Sequence, residues 1–313
     1  MSKKLGIVVP CYNEEEVIYE TTKRLVEVIN NLINDELISS DSQIFFVDDG
    51  SKDRTWKIIQ ELCRKYKVIK GIKLARNVGH QNALLGGLMT AKESCDLIIS
   101  IDADLQDDVT KIKDFILKYY EGYDVVYGVR DSRDTDTFFK RNTALIFYRF
   151  MSLMGADIVY NHADYRLTSQ RVLNELSNFR EVNLFLRGLV PLVGFKSTSV
   201  YYDRSERFAG ESKYPLKKML SFAFDGITSL SIRPIRLIST VGFVISFFSV
   251  IAFLYAIISK ITGNVTSGWT SLILSVWFLG GLQLIAMGLI GEYIGKIYNE
   301  TKQRPRYIIE ELI

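Results

Sequence analysis

The chain has 313 residues, with 39 Lys and Arg against 36 Asp and Glu and a net charge of +3. So small a positive balance, with no basic run interleaved with aromatics, argues against nucleic acid as a partner. Three widely spaced cysteines (Cys11, Cys63 and Cys95) and two histidines (His80 and His162) argue for reduced thiols and against a zinc site.

In chain order, short apolar runs rich in β-branched residues alternate with longer amphipathic segments, the pattern of βαβ units around a mostly parallel sheet. Strands are predicted at about Leu5 to Pro10, Gln43 to Asp48, Ile69 to Ala75, Leu97 to Asp102 and Asp124 to Val129. Helices are predicted between them near Glu15 to Ile33, Asp53 to Tyr66, Gln81 to Ala91 and Val109 to Glu121, with Asn13 and Ser51 as caps. The first apolar run is too short for a signal-peptide core and Asn13 to Glu16 follow at once, which predicts a cytosolic N-terminus. In open sheets of this kind ligands bind beyond the carboxyl ends of the strands, so the residues after each run carry the functional reading.

After the first strand, Pro10-Cys11-Tyr12-Asn13-Glu14-Glu15 combines a rigid turn, a ring that can stack and carboxylates that can accept hydrogen bonds. An acidic first turn of a capped helix would read the same way. The second strand ends in Asp48-Asp49-Gly50-Ser51, which suits either a nucleoside or a plain turn. Arg76, in Arg76-Asn77-Val78-Gly79-His80, could neutralise a donor phosphate or sit in a structural ion pair. Strongest is Asp102-Ala103-Asp104-Leu105-Gln106-Asp107, an acidic cluster ending a very apolar strand. Such charge density calls for a cation, and Mg²⁺ or Mn²⁺ takes oxygen ligands, commonly one or two carboxylates plus substrate phosphates. Asp104 is the first candidate ligand, with Asp102 nearer the nucleoside.

Farther on, Arg130, Arg133, Lys140 and Arg141 form a basic group that could receive an anionic lipid phosphate or face water. Asp164-Tyr165-Arg166-Leu167 follows a long helix-like stretch. Arg204, Arg207 and Lys213 flank Gly210 in a loop that could close over pyrophosphate or form the positive flank of a membrane span. The mean hydropathy of +0.09 averages over two unequal regions. Leu237 to Ile258 carries no charge, and Trp269 to Ile290 is a second uncharged run beyond a polar connector. As helices rising about 1.5 Å per residue, both could cross a hydrocarbon core of roughly 30 Å. Basic residues before the first run and after the second, against Lys260 between them, predict both termini on the cytoplasmic side.

Taken in order, these motifs resemble the family 2 inverting glycosyltransferases of GT-A fold, and among them the bactoprenol glucosyltransferase and dolichol-phosphate mannose synthase-like group. Pro10 to Glu14 is similar to PxYNE, Asp48 to Ser51 to DDGS, Arg76-Asn77 to RN, and Asp102 to Gln106 to DADLQ. Ala163 to Leu167, Arg207 to Tyr214, Gly291 to Gly295 and Arg304-Pro305 continue the series. Asp107-Asp108-Val109 departs from the common DPP, and Ala163 from a common glycine.

The resemblance implies an α/β GT-A, Rossmann-like catalytic domain over 1–214, a juxtamembrane segment over 215–236, two membrane helices within 237–291 (about 237–258 and 269–290) and a cytoplasmic tail over 292–313. It implies a nucleoside pocket of Pro10, Tyr12, Glu14, Asp49, Asp102 and Ala103, with Arg76 nearby. Asp104 and Gln106 would hold Mg²⁺ or Mn²⁺, Arg207 and Lys213 would contact donor phosphates, and Asp164 would act as base or positioning group. The partners implied are a nucleotide sugar, foremost a UDP-hexose such as UDP-glucose or UDP-GlcNAc, polyprenyl phosphate, the inner or plasma membrane and further copies of the chain. The rival expectations are a processive polysaccharide synthase and a non-catalytic membrane scaffold.

Overall fold

The computed structural model describes residues 2–130, 162–182, 184–203, 228, 231–261 and 268–313. In chain order the elements are β1 (Leu5–Cys11), α1 (Ile18–Asn34), β2 (Gln43–Asp48), α2 (Thr55–Lys65), β3 (Ile69–Leu74), α3 (His80–Ala91) and β4 (Leu97–Ser100). A 3-10 turn (Val109–Lys111), α4 (Ile112–Tyr120), β5 (Val125–Arg130), β6 (His162–Ser169), α5 (Gln170–Leu176), α6 (Leu186–Leu192) and β7 (Ser197–Tyr202) follow. Last come α7 (Arg233–Ile261), α8 (Trp269–Lys302) and β8 (Ile309–Leu312).

The strands form one sheet in the order β7-β5-β6-β4-β1-β2-β3-β8. β1 pairs in parallel with β2 and β4, β2 with β3, and β5 with β7. β6 runs antiparallel between β4 and β5, and β8 antiparallel beside β3. The expected mostly parallel α/β sheet is therefore present, and its five predicted strands are β1 to β5. Both faces are covered, which is why these strands read as nearly continuous apolar runs. Leu5, Ile7 and Val9 pack with Leu25 and Ile29 of α1, Ile59 of α2 and Phe115 of α4. Val8, Val47 and Ile98 meet Leu84 and Leu88 of α3, Val172 of α5 and Leu189 of α6 on the other face. Gly87 lets α3 lie close: a Cβ there would stand 2.4 Å from Val8 Cγ1 and 2.6 Å from Val47 Cγ2.

The Asp164 segment is the strand β6, and the helix-like stretch expected before it lies outside the described residues. Two expectations change. Asn13 and Ser51 cap nothing, because α1 and α2 start later, at Ile18 and Thr55. Instead the Asn13 N–H donates to Ser51 Oγ (3.0 Å) and Asn13 Oδ1 accepts from the Lys52 N–H (2.9 Å), lashing the β1–α1 loop to the β2–α2 loop. The segment expected as a tail over 292–313 instead extends α8 to Lys302 and then adds β8 to the sheet.

The helices α7 and α8, of 29 and 34 residues, leave much apolar surface uncovered, including Phe243, Phe247, Leu254, Trp277, Leu284 and Met287. Within the described residues, the segment Ser275–Lys302 is long and apolar enough to cross a membrane, its most apolar 18-residue stretch having a mean hydropathy of 1.4. Exposed apolar area of this extent marks a surface that meets something other than water.

Candidate active site

β1 to β4 run parallel, so their carboxyl ends lie along one edge of the sheet. β6 runs the other way and enters from that edge, with Ser100 opposite Arg166 in register. Asp164 therefore sits just beyond the end of β4, where Ser100 Oγ donates to its carbonyl oxygen.

The Asp164 carboxylate is buried and multiply held. Arg187 of α6 grips it with two bonds, Nε to Oδ1 and Nη2 to Oδ2, each 3.1 Å. Gln81 Nε2 donates to Oδ2 (3.3 Å), His80 Nε2 lies 3.4 Å from the same oxygen, and Arg166 Nη2 is 3.9 Å from Oδ1. Burial alone would raise this carboxyl's pKa, but Arg187, His80 and Arg166 outweigh it and hold the group well below the usual carboxylate range.

His80, the first residue of α3, also stands 3.7 Å from Asp102 Oδ1 and so bridges Asp102 and Asp164. Burial opposes its charge, yet the Asp164 hydrogen bond and the two carboxylates lift its pKa to about 9. Asp102 moves the other way. Burial pushes it up to about 6, His80 opposes that, and Asp107, Asp164 and Asp104 add repulsion.

The acidic loop is tightly shaped. Leu105 takes a left-handed backbone (φ 57), and Asp104 Oδ1 accepts from the Gln106 N–H at 3.2 Å. Ala103 is buried, and its carbonyl accepts from Thr21 Oγ1 at 2.8 Å. Asp107 turns inward to accept from Tyr202 Oη (2.5 Å) and Arg130 Nη2 (3.3 Å). Arg130, read from sequence as an acceptor-phosphate ligand, is thus paired with Asp107 at the end of β5.

At the neighbouring strand ends, Pro10 lies beside Val47 one residue before β1 ends at Cys11, and Tyr12 is partly exposed just beyond it. The Glu14 N–H donates to Thr55 Oγ1 at 2.9 Å. Asp49 is buried and accepts from the Val78 N–H (2.7 Å) and Gly79 N–H (3.0 Å), so it shapes the β3–α3 loop. Burial raises its pKa and those two bonds work against the rise. Arg76 is exposed on that loop. Gly50 (φ +66) is required beneath it, because a Cβ would meet Asn77 N at 2.6 Å. Arg133, Arg141, Arg207 and Lys213 lie outside the described residues.

Among the described residues no cluster of three His, Cys, Asp or Glu side chains is arranged as a metal cage. What Asp102, Asp104 and Gln106 offer is an oxygen-bearing loop in which burial first, and repulsion from Asp107, Asp164 and Asp104 after it, push Asp102 up to about 6. That donor set fits a hard divalent ion, which keeps several waters and takes substrate phosphate oxygens as further ligands. His80, Gln81 and Arg187 were not singled out from sequence as site residues. The available signal for Arg187 is one cation inside the apolar run Phe185-Leu186-Arg187-Gly188-Leu189-Val190.

Residues 6–177 match the model of Glycosyl transferase family 2. The chain is 60% identical over 306 residues to the uncharacterized glycosyltransferase YkoT of Bacillus subtilis (strain 168), covering 98% of this chain and 91% of that protein. It is 39% identical over 314 residues to the prophage bactoprenol glucosyl transferase homolog of Escherichia coli (strain K12), covering 99% of each. It is also 39% identical over 315 residues to the bactoprenol glucosyl transferase of Shigella phage SfV, covering 98% of each. With strand-end carboxylates gathered at one edge of a Rossmann-like sheet and this likeness along nearly its whole length, the chain belongs to glycosyl transferase family 2.

Proposed function

We propose that the protein transfers a hexose from a UDP-sugar to a polyprenyl phosphate, with inversion, at the cytoplasmic face of the membrane. One observation carries the reading: Asp102 and the clamped Asp164 share His80 at one sheet edge, with Asp104 near Asp102, in a chain 39% identical over 98% of its length to a bactoprenol glucosyl transferase. Pro10, Tyr12, Glu14, Asp49, Arg76, Asp102 and Ala103 would surround the nucleoside and its phosphates. Arg207 and Lys213 would reach the diphosphate from the following loop, and Arg133 and Arg141 the acceptor phosphate.

Asp104 and Gln106 would hold Mg²⁺ or Mn²⁺, which, when bound, supplies Lewis-acid stabilisation of charge on the departing diphosphate. The remaining work falls to the chain. An oxygen of the acceptor phosphate attacks the anomeric carbon as the bond from that carbon to the nucleoside diphosphate oxygen breaks, and UDP leaves on the opposite face. A phosphate monoester, with a second pKa of about 6, needs little help to ionise. Asp164, held well below the usual carboxylate range, is a weak base suited to positioning. It would fix His80 and Arg187 beside the reacting groups, and those two cations would offset the charge of an incoming phosphate.

The membrane reading is that both α7 and α8 cross the bilayer, over about 237–258 and 269–290, and return the chain to the cytoplasmic side. Uncovered apolar side chains on both helices support it, as do Arg233 and Arg236 before the first crossing and Lys296, Lys302, Arg304 and Arg306 after the second.

The test is incubation of the full chain in detergent micelles with undecaprenyl phosphate and, separately, UDP-glucose, UDP-GlcNAc and UDP-galactose, followed by mass spectrometry of the lipid. One lipid-linked hexose is expected, lost on chelation and in Asp104→Asn. A growing polysaccharide would show a processive synthase, and an unaltered lipid with every donor would show that the reading is wrong.

A further inference from the structure

We propose that the return of the chain from α8 to the sheet is a strap that positions Arg187, so that Glu300 and Arg306 are positioning residues for the site. The inference rests on the transferase reading, because it assigns these residues a task at the same clamp.

The strap is continuous. In the last turn of α8, Glu300 Oε2 accepts from the Val182 N–H at 2.8 Å. Gln303 then takes a left-handed backbone (φ 47) that ends the helix and turns the chain. Three residues later the Arg306 guanidinium donates to the Phe179 carbonyl. Tyr307 packs on α3 where Gly86 leaves room: a Cβ there would stand 3.2 Å from its ring. The Ala75 N–H donates to the Ile308 carbonyl (3.0 Å), β8 pairs with β3, and Ile313 exchanges two backbone bonds with Gly71.

Phe179 and Val182 are thus both gripped by residues more than a hundred positions away, and they lie on the segment that feeds α6. Phe185 is buried, and the Leu186 N–H donates to Gln81 Oε1 at 3.2 Å. Arg187 is the next residue, and Gln81 itself reaches Asp164. A shift at Phe179 to Val182 is therefore passed within one short helix start to Arg187 and Gln81, two of the groups that hold the Asp164 carboxylate. The same strap is the continuation of the long apolar helix, so the seating of α8 and the geometry of the clamp are one mechanical unit.

Alanine at Glu300 frees the Val182 amide, whereas Glu300→Gln keeps an oxygen that can accept from it. In Glu300→Ala the hydrogen–deuterium exchange of residues 179–187 should quicken, and kcat should fall roughly tenfold or more with donor KM little changed, since a misplacement of about 1 Å can cost ~100-fold. Glu300→Gln should restore both, and Arg306→Ala should repeat the Glu300→Ala effect. Exchange and kcat unchanged in Glu300→Ala and Arg306→Ala would overturn the proposal. So would a lowered thermal midpoint with unchanged kcat, which marks a purely stabilising contact. If the wild-type chain makes no lipid-linked sugar while exchange still responds to Glu300→Ala, the transferase reading fails and the strap stands.

Discussion

Arg187→Ala removes both guanidinium bonds from a carboxylate whose side chain is 7% exposed. Breaking a buried ion pair by deleting one partner costs about 3–5 kcal/mol. Here His80, Gln81 and Arg166 still face Asp164, so the low end applies and the expected loss of stability near neutral pH is about 3 kcal/mol. The loss must depend on pH. Asp164's folded-state pKa is depressed, so its contribution is fully present above the ordinary carboxylate value and disappears as pH falls through the depressed one. Wild type and variant should therefore differ most at pH values above the ordinary carboxylate value of about 3.9, and the gap should narrow as pH falls below it, closing only through the depressed folded value. Guanidinium unfolding of the full chain in micelles, followed by tryptophan fluorescence, measures the gap. A loss under about 1 kcal/mol at neutral pH, the scale of an exposed pair, or a gap that does not narrow as pH falls below the ordinary carboxylate value of about 3.9 would refute the assignment of Arg187 as the neutralising partner of Asp164.

Asp102 gives the opposite sign. Its carboxyl is raised to about 6, so the folded chain holds that proton more tightly than the unfolded chain does, and stability falls as pH rises from the ordinary value of about 3.9 through 6. Asp102→Asn should raise the thermal midpoint at about pH 8, have little effect near pH 4, and weaken UDP-sugar binding; a lowered midpoint at the higher pH would refute the argument from burial and repulsion. Gly87→Ala should destabilise by about 1–3 kcal/mol through overpacking against Val8 and Val47, despite a better helix propensity. An unchanged denaturation midpoint would mean that α3 can back away from the sheet.

β1 to β5 were legible because burial on both faces leaves an unbroken apolar signature. β6 was not: Asp164, Arg166 and Thr168 are buried there, and an alternation of polar side chains paired within the interior carries no hydrophobic signal. β8 was hidden for a different reason, since an edge strand reading Ile309-Glu310-Glu311-Leu312 is mostly exposed and takes its structure from β3. At the site, the acidic strand end announced itself through charge density alone. The His80 bridge and the Arg187 clamp depend on β6 entering between β4 and β5, a non-local pairing that no window of sequence displays. The lashing of Asn13 to Ser51 and Lys52 likewise joins loops remote in sequence, whereas a cap is a local reading.

The antiparallel pairing of residues 309–312 with residues 72–74 makes α7 and α8 an insertion within the catalytic sheet rather than an appendage to it. During synthesis β3 emerges long before its outer neighbour, so the ribosome must deliver both long helices while that border of the sheet is still unpaired. Completion of the enzyme domain is thereby scheduled after delivery of its hydrophobic helices, and a nascent chain stalled between them would present a raw β-edge to whatever lies nearby.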